Sequence, residues 1–161
     1  MVNMLYFCLV VGIGSTIILD LWVTLVEKML GIPQTNWGIV GRWIFGIPKG
    51  NWVLDTSIDK APNAQEKTLG WLFHYVVGIG YAVLIILLFG AGFIDEPSIM
   101  PIIVVGLVLS TLAGLAILMP ALGAGFMGRL VPNWSAMFIY LVVAHAVFAA
   151  GQYGFSILYI S

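Results

Sequence analysis

Three ionisable side chains stand inside otherwise apolar runs of this chain: Asp20, His74 and His145. An ionisable group at bilayer depth costs on the order of 3 kcal/mol or more, so it faces a bundle interior and serves a purpose there. Histidine titrates near neutral pH in water, and a neighbouring carboxylate favours its charged form. The chemistry open to such a set is the handling of a proton or an ion. Helix rise sets the depths. Asp20 precedes Glu27 by seven residues, which puts it about 10 Å inside one edge. His74 follows Thr68 by six residues, about 9 Å inside the same edge. His145 follows Ser135 by ten residues, about 15 Å in. Asp20 and His74 are therefore expected to pair, with Arg42 bending inward to their level and His145 deeper.

Helical spacing extends each of these residues into a polar or small face. The faces read Gly12, Thr16, Asp20, Thr24, Glu27; then Glu66, Gly70, His74, Gly78, Tyr81; then His145, Ala149, Gln152, Ser156. A weaker one holds Gly106, Ser110, Thr111 and Gly114. Turned inward together, they make a narrow polar seam, which Gln152, Ser156 and Tyr159 carry toward the outside. Asp20, Arg42, His74, His145 and Gln152 are the expected ligand-binding or proton-relay residues. The bland alternative is packing, in which glycines admit close backbones and polar side chains bond across helices for about 0.6 kcal/mol each.

Other chemistries fit less well. A metal needs three or four ligands at suitable spacing, and no His-x-x-His or Cys-x-x-Cys occurs. Haem between His74 and His145 would need both rings at nearly one depth, and theirs differ by about 6 Å. No metal and no cofactor is therefore expected. Ser15 lies more than a turn from Asp20, with no nucleophile motif around it. The Gly-x-Gly pairs belong to no dinucleotide or phosphate-loop signature and read as packing glycines.

The elements that would position these residues are set by composition. Of 161 residues, 61% are hydrophobic and 8% charged, with a net charge of -1. A soluble domain carries about 25% charged residues. So few polar groups cannot cover a soluble globule, and a nucleic-acid binder needs a basic footprint. Cys8 is the sole cysteine, which excludes an internal disulfide framework. The expected fold is all-α and integral to a membrane: one domain of four transmembrane helices, with spans at about 4–26, 68–93, 98–127 and 134–160. A signal peptide fits the first stretch poorly, because it lacks a basic n-region and a small-x-small cleavage site.

Lys28, Arg42, Lys49, Lys60 and Lys67 lie between the first two spans, and Arg129 lies between the last two. The other connection carries only Asp95 and Glu96. The positive-inside rule puts the basic side in the cytoplasm and both termini outside. Within the cytoplasmic loop 27–67, the stretch from Asn36 to Gly46 is too short to span. It reads as an interfacial or re-entrant helix with Thr35 or Asn36 as N-cap. Trp37, Trp43 and Trp52 are expected at the headgroups. A faint repeat relates His74–Gly80 to His145–Gly151 and Ser15-Thr16 to Ser110-Thr111. Such a repeat would be a parallel duplication of a helical hairpin.

Val40-Gly41-Arg42-Trp43, Glu66-Lys67, Gly70-Trp71, His74-Tyr75 and His145-Ala146-Val147-Phe148 with Gly151 and Tyr153 resemble a family of bacterial inner-membrane proteins, domain of unknown function 2938. Thr16 to Trp22 is similar to its first helix. The resemblance covers nearly the whole chain and implies four helices in a bacterial inner membrane, with no established activity. The long loop departs from it in lacking a histidine.

The leading expectation is a non-catalytic transport-like or ligand-binding module, whose seam handles a proton, an ion or a small amphipathic molecule. The alternative is an accessory subunit, or a homo-oligomer, packing through Ala146, Ala150 and Gly154. A third is an intramembrane enzyme with Asp20 and His74 as acid and base. The expected partners are the lipid bilayer and possible other membrane subunits, with no nucleic acid.

Overall fold

The structure is a computed structural model that describes residues 2–161. Its regular elements are all helical, with no strand among the described residues. Five helices carry the chain: α1 (Val2–Leu30), α2 (Trp37–Gly46), α3 (Ala64–Phe89), α4 (Ile99–Ala121) and α5 (Trp134–Ile160). All but α2 are long and apolar enough to cross a membrane.

Local chemistry sets the helix ends. The Asn36 side chain caps α2 by accepting from the amides of Gly38 and Ile39. Asn63 Oδ1 accepts from the Glu66 amide at 2.9 Å, and Glu66 Oε2 accepts from the Asn63 amide at 2.7 Å. That reciprocal capping box starts α3 at Ala64, ahead of the apolar run that begins at Thr68. Gly90, with φ of 89°, ends it in a conformation that other residues resist. The helix therefore runs Ala64–Phe89 where the apolar run alone suggests 68–93. The fourth span is helical from Trp134, where Asn133 Oδ1 accepts from the Ala136 amide at 3.3 Å. The third ends at Ala121 rather than near 127, because Gly123 and Gly125 take positive φ and turn the chain. Within α4, Ile103–Leu109 and Gly114–Leu118 are π-helical, wider turns that occur often at functional sites.

The helices contribute to two compact units. Among the described residues the first comprises 2–34, 75–111 and 140–161. Its apolar core includes Phe7, Val11, Ala82, Ile85, Ile102 and Val105, and the Phe7 ring meets Phe93 and Tyr159 edge-on. At Gly12 a Cβ would lie 2.5 Å from the Ile79 Cα, so α1 and α3 touch backbone to backbone there.

The second unit comprises residues 35–74 and 112–139. In it α2 lies against the first turns of α3 with no room for a side chain between them. A Cβ at Gly41 would collide with the Glu66 carbonyl, and one at Gly70 with the Trp37 carbonyl. The loop after α2 is tied to the end of α4 by the Leu54 amide, which donates to the Ala121 carbonyl at 2.7 Å.

Candidate functional site

In the first unit the polar faces of α1, α4 and α5 are buried. Ser15, Thr16, Gln152 and Ser156 are wholly inaccessible, and Ser110 and Thr111 nearly so. A Cβ built on Gly151 would lie 3.0 Å from the Ser15 Cα, and one on Gly106 would collide with Gln152 Oε1. These small residues are what let three helices close around the Gln152 amide.

The hydroxyls there are committed in one direction. Ser15 donates to the Val11 carbonyl at 2.6 Å, Thr16 to Gly12 at 2.7 Å, Ser110 to Gly106 at 2.6 Å and Ser156 to Gln152 at 2.7 Å. Each is a bond back one turn along its own helix. The hydrogens are spent, so each oxygen offers only lone pairs to a neighbour. Gln152 breaks the pattern. Neither its Nε2 nor its Oε1 finds a hydrogen-bond partner in the protein, although the side chain is fully buried. An amide buried unpaired costs about 1–3 kcal/mol by protein mutational measures. The Tyr140 hydroxyl is buried and unpartnered in the same way, on a ring whose centroid lies 5.5 Å from that of Trp22.

The other expected residues of this unit are hydrogen-bonded. Asp20 Oδ2 accepts from the Tyr75 hydroxyl at 2.9 Å. Tyr75 follows His74 directly on α3, in the turn that depth arithmetic gives for Asp20. His145 Nδ1 lies 3.0 Å from Thr111 Oγ1, with the donor set by the ring tautomer. Tyr75 and Tyr140 are absent from the polar faces read off helical spacing. Their signal in the sequence is a tyrosine within an apolar run, since a buried phenol seeks a partner for its hydroxyl. Tyr75→Phe, which removes a bond to a carboxylate, is expected to lower stability by about 1.5–3 kcal/mol. Thr111→Val breaks a neutral pair and is expected to cost about 1 kcal/mol. Unfolding of the two variants in detergent checks the ranking, and equal effects would contradict it.

The second unit holds Arg42, His74 and the expected interfacial tryptophans. Arg42 Nε donates to Glu66 Oε1 at 2.9 Å and Nη2 to Oε2 at 3.2 Å, a bidentate pair. Nη2 also donates to the Lys60 carbonyl at 2.7 Å. The Glu66 carboxylate raises the pKa of Arg42 further above its ordinary value, chiefly through these hydrogen bonds. Arg42 thus clamps α2 onto the capping box of α3. The His74 ring is buried and stacks on Trp37 with centroids 3.9 Å apart. Trp71 meets the same ring edge-on at 5.8 Å. Trp43 Nε1 donates to the Trp52 carbonyl at 2.9 Å, while the Trp52 side chain stays 71% exposed. Trp37 and Trp43 thus have partners inside the protein, and of the three Trp52 is the one left open. Asp20 lies in the first unit and His74 in the second.

Among the described residues, no three His, Cys, Asp or Glu side chains come together as metal ligands would. A family model described as "Protein of unknown function (DUF2938)" matches residues 9–159, so the chain belongs to that family. No curated protein and no solved structure matches it significantly.

Proposed function

We propose that this member of the DUF2938 family is a multi-pass protein of a bacterial cytoplasmic membrane, with both termini outside, whose polar seam handles a proton. The observation that carries the reading is the fully buried Gln152 amide with no protein partner, set in a row of hydroxyls that present only lone pairs. Such a lining suits a species that arrives as a hydrogen-bond donor, which hydronium does. The Asp20–Tyr75 and Thr111–His145 pairs add exchangeable protons in the same unit. Another small ion or an amphipathic donor would use the same lining. The burial cost of these groups is the general reason to assign them work.

The test of the seam is proton entry into sealed proteoliposomes carrying an internal pH dye, driven by a potassium diffusion potential. Vesicles with the protein are expected to acidify faster than protein-free ones. The orientation has its own test. Lys49→Cys or Lys60→Cys, in a Cys8→Ser background, is expected to react with an impermeant thiol reagent only in inverted vesicles. Labelling in intact cells with a permeabilised outer membrane would overturn it.

One observation favours a second reading, an accessory subunit. Ala146, Ala150 and Gly154 are exposed along one face of α5, and a Cβ at Gly154 would meet nothing. Close approach of a partner helix suits such a face. A stable second protein retained through gentle purification would support that role.

A further inference from the structure

We propose that the first unit carries a binding site for a monovalent amphiphilic cation, at the end of the helices opposite Lys28. The site is an open pocket of about 610 Å³ between the start of α1, the turn before α4 and the end of α5. Ligand pockets run from about 300 to 1,000 Å³. Met4, Ile94 and Ile160 give it apolar walls, and Asn3, Asp95 and Tyr159 supply its polar groups.

Its charge has one sign. The first unit contains one Lys or Arg, Lys28. Lys28 stands 24 residues along α1 from Met4, about 36 Å at helical rise. The formal side-chain charges at the pocket end are Asp95, in the lining, and Glu96 beside it. An anion would meet repulsion here, and a cation would meet the Asp95 carboxylate.

The aromatic wall suits the same ligand. The Tyr159 ring is held edge-on to Phe7 at 5.1 Å and tilted to Tyr6 at 5.9 Å. Its hydroxyl donates to the Asn3 carbonyl at 3.0 Å, which fixes the ring as part of the wall. A tyrosine ring and a carboxylate in one lining suit an organic cation, and the aliphatic walls take its apolar body. This site is separate from the seam, and its test involves no proton flux.

The probes are tetraphenylphosphonium and tetraphenylborate, ions of similar size and opposite charge. Each is measured by equilibrium dialysis against the purified full chain in neutral detergent, with protein-free micelles subtracted. Tetraphenylphosphonium is expected to bind one per chain, at least tenfold tighter than the borate. Asp95→Asn is expected to weaken it at least tenfold, while Glu96→Gln stays within twofold. Asp95 is exposed, so its variant is expected to unfold as the wild type does. Equal affinity for the two ions overturns the proposal. So does unchanged binding by Asp95→Asn, or an equal loss in both variants, which would report general surface charge.

Discussion

Gln152→Leu is expected to make the protein more stable, by about 1–3 kcal/mol, and to lower the proposed proton flux at least tenfold. The stability gain follows from the orphaned amide. Gln152 is fully buried and neither of its polar atoms is paired within the protein, so leucine removes a desolvation cost of that size. Leucine has nearly the volume of glutamine, so the packing against Gly106 survives. A residue that lowers stability where it stands and is nonetheless present fits a working site better than a packing position. Unfolding in detergent checks the first half. A variant less stable than wild type would mean that the amide is a structural hydrogen-bonding group. Ser156→Ala makes the comparison. Its hydroxyl bonds only back to the Gln152 carbonyl, and its loss is expected to change stability by less than about 0.5 kcal/mol.

Gly70→Ala is expected to destabilise the second unit by up to about 2 kcal/mol, whereas Gly80→Ala on the same helix is expected to stabilise by up to about 1 kcal/mol. Both changes gain about 1 kcal/mol of helix propensity. At Gly80 a Cβ meets nothing within 4 Å, so that gain stands. At Gly70 it collides with the Trp37 carbonyl and comes 2.5 Å from the Trp37 carbonyl carbon. The obstacle is backbone, so α2 must move. Overpacking of this kind costs about 1–3 kcal/mol, occasionally more. The moved helix also loses register for the Trp37–His74 stack and the Arg42–Glu66 clamp. Unfolding of both variants, with protease sensitivity of the loop after α2, measures the difference. Equal behaviour of the two alanines would contradict the close approach of α2 and α3.

The four long helices were legible because an uncharged apolar run of 20 or so residues has few other ways to satisfy its backbone in lipid. Asn36 was readable as a cap for the same local reason, a short polar side chain at the start of a helical stretch. The start of α3 was carried by a different signal, the Asn63–Glu66 spacing of a capping box, which hydropathy does not register. The end of α4 depended on glycines that take positive φ, and its π-helical turns left no mark in the apolar pattern. At the site, helical spacing singled out Gln152 and Ser156, and both are buried. Depth arithmetic found the right turn of α3 for Asp20, and it missed the Tyr75 hydroxyl there because helical spacing was followed only along polar and small residues. Arg42 illustrates the remaining gap. Its charge pointed to the mouth of a seam, while its partner Glu66 lies 24 residues on and is found only when α2 folds back on α3.

Proton flux in matched proteoliposomes shows whether the buried hydroxyls around Gln152 serve a proton, as proposed. Wild type and Gln152→Leu are reconstituted at equal density and confirmed folded, and the same potassium diffusion potential is applied to both. Acidification above protein-free vesicles is expected for the wild type, and at least a tenfold lower protein-dependent rate for the more stable leucine variant. Wild-type flux no greater than that of protein-free vesicles, or an unchanged rate in Gln152→Leu, would contradict it.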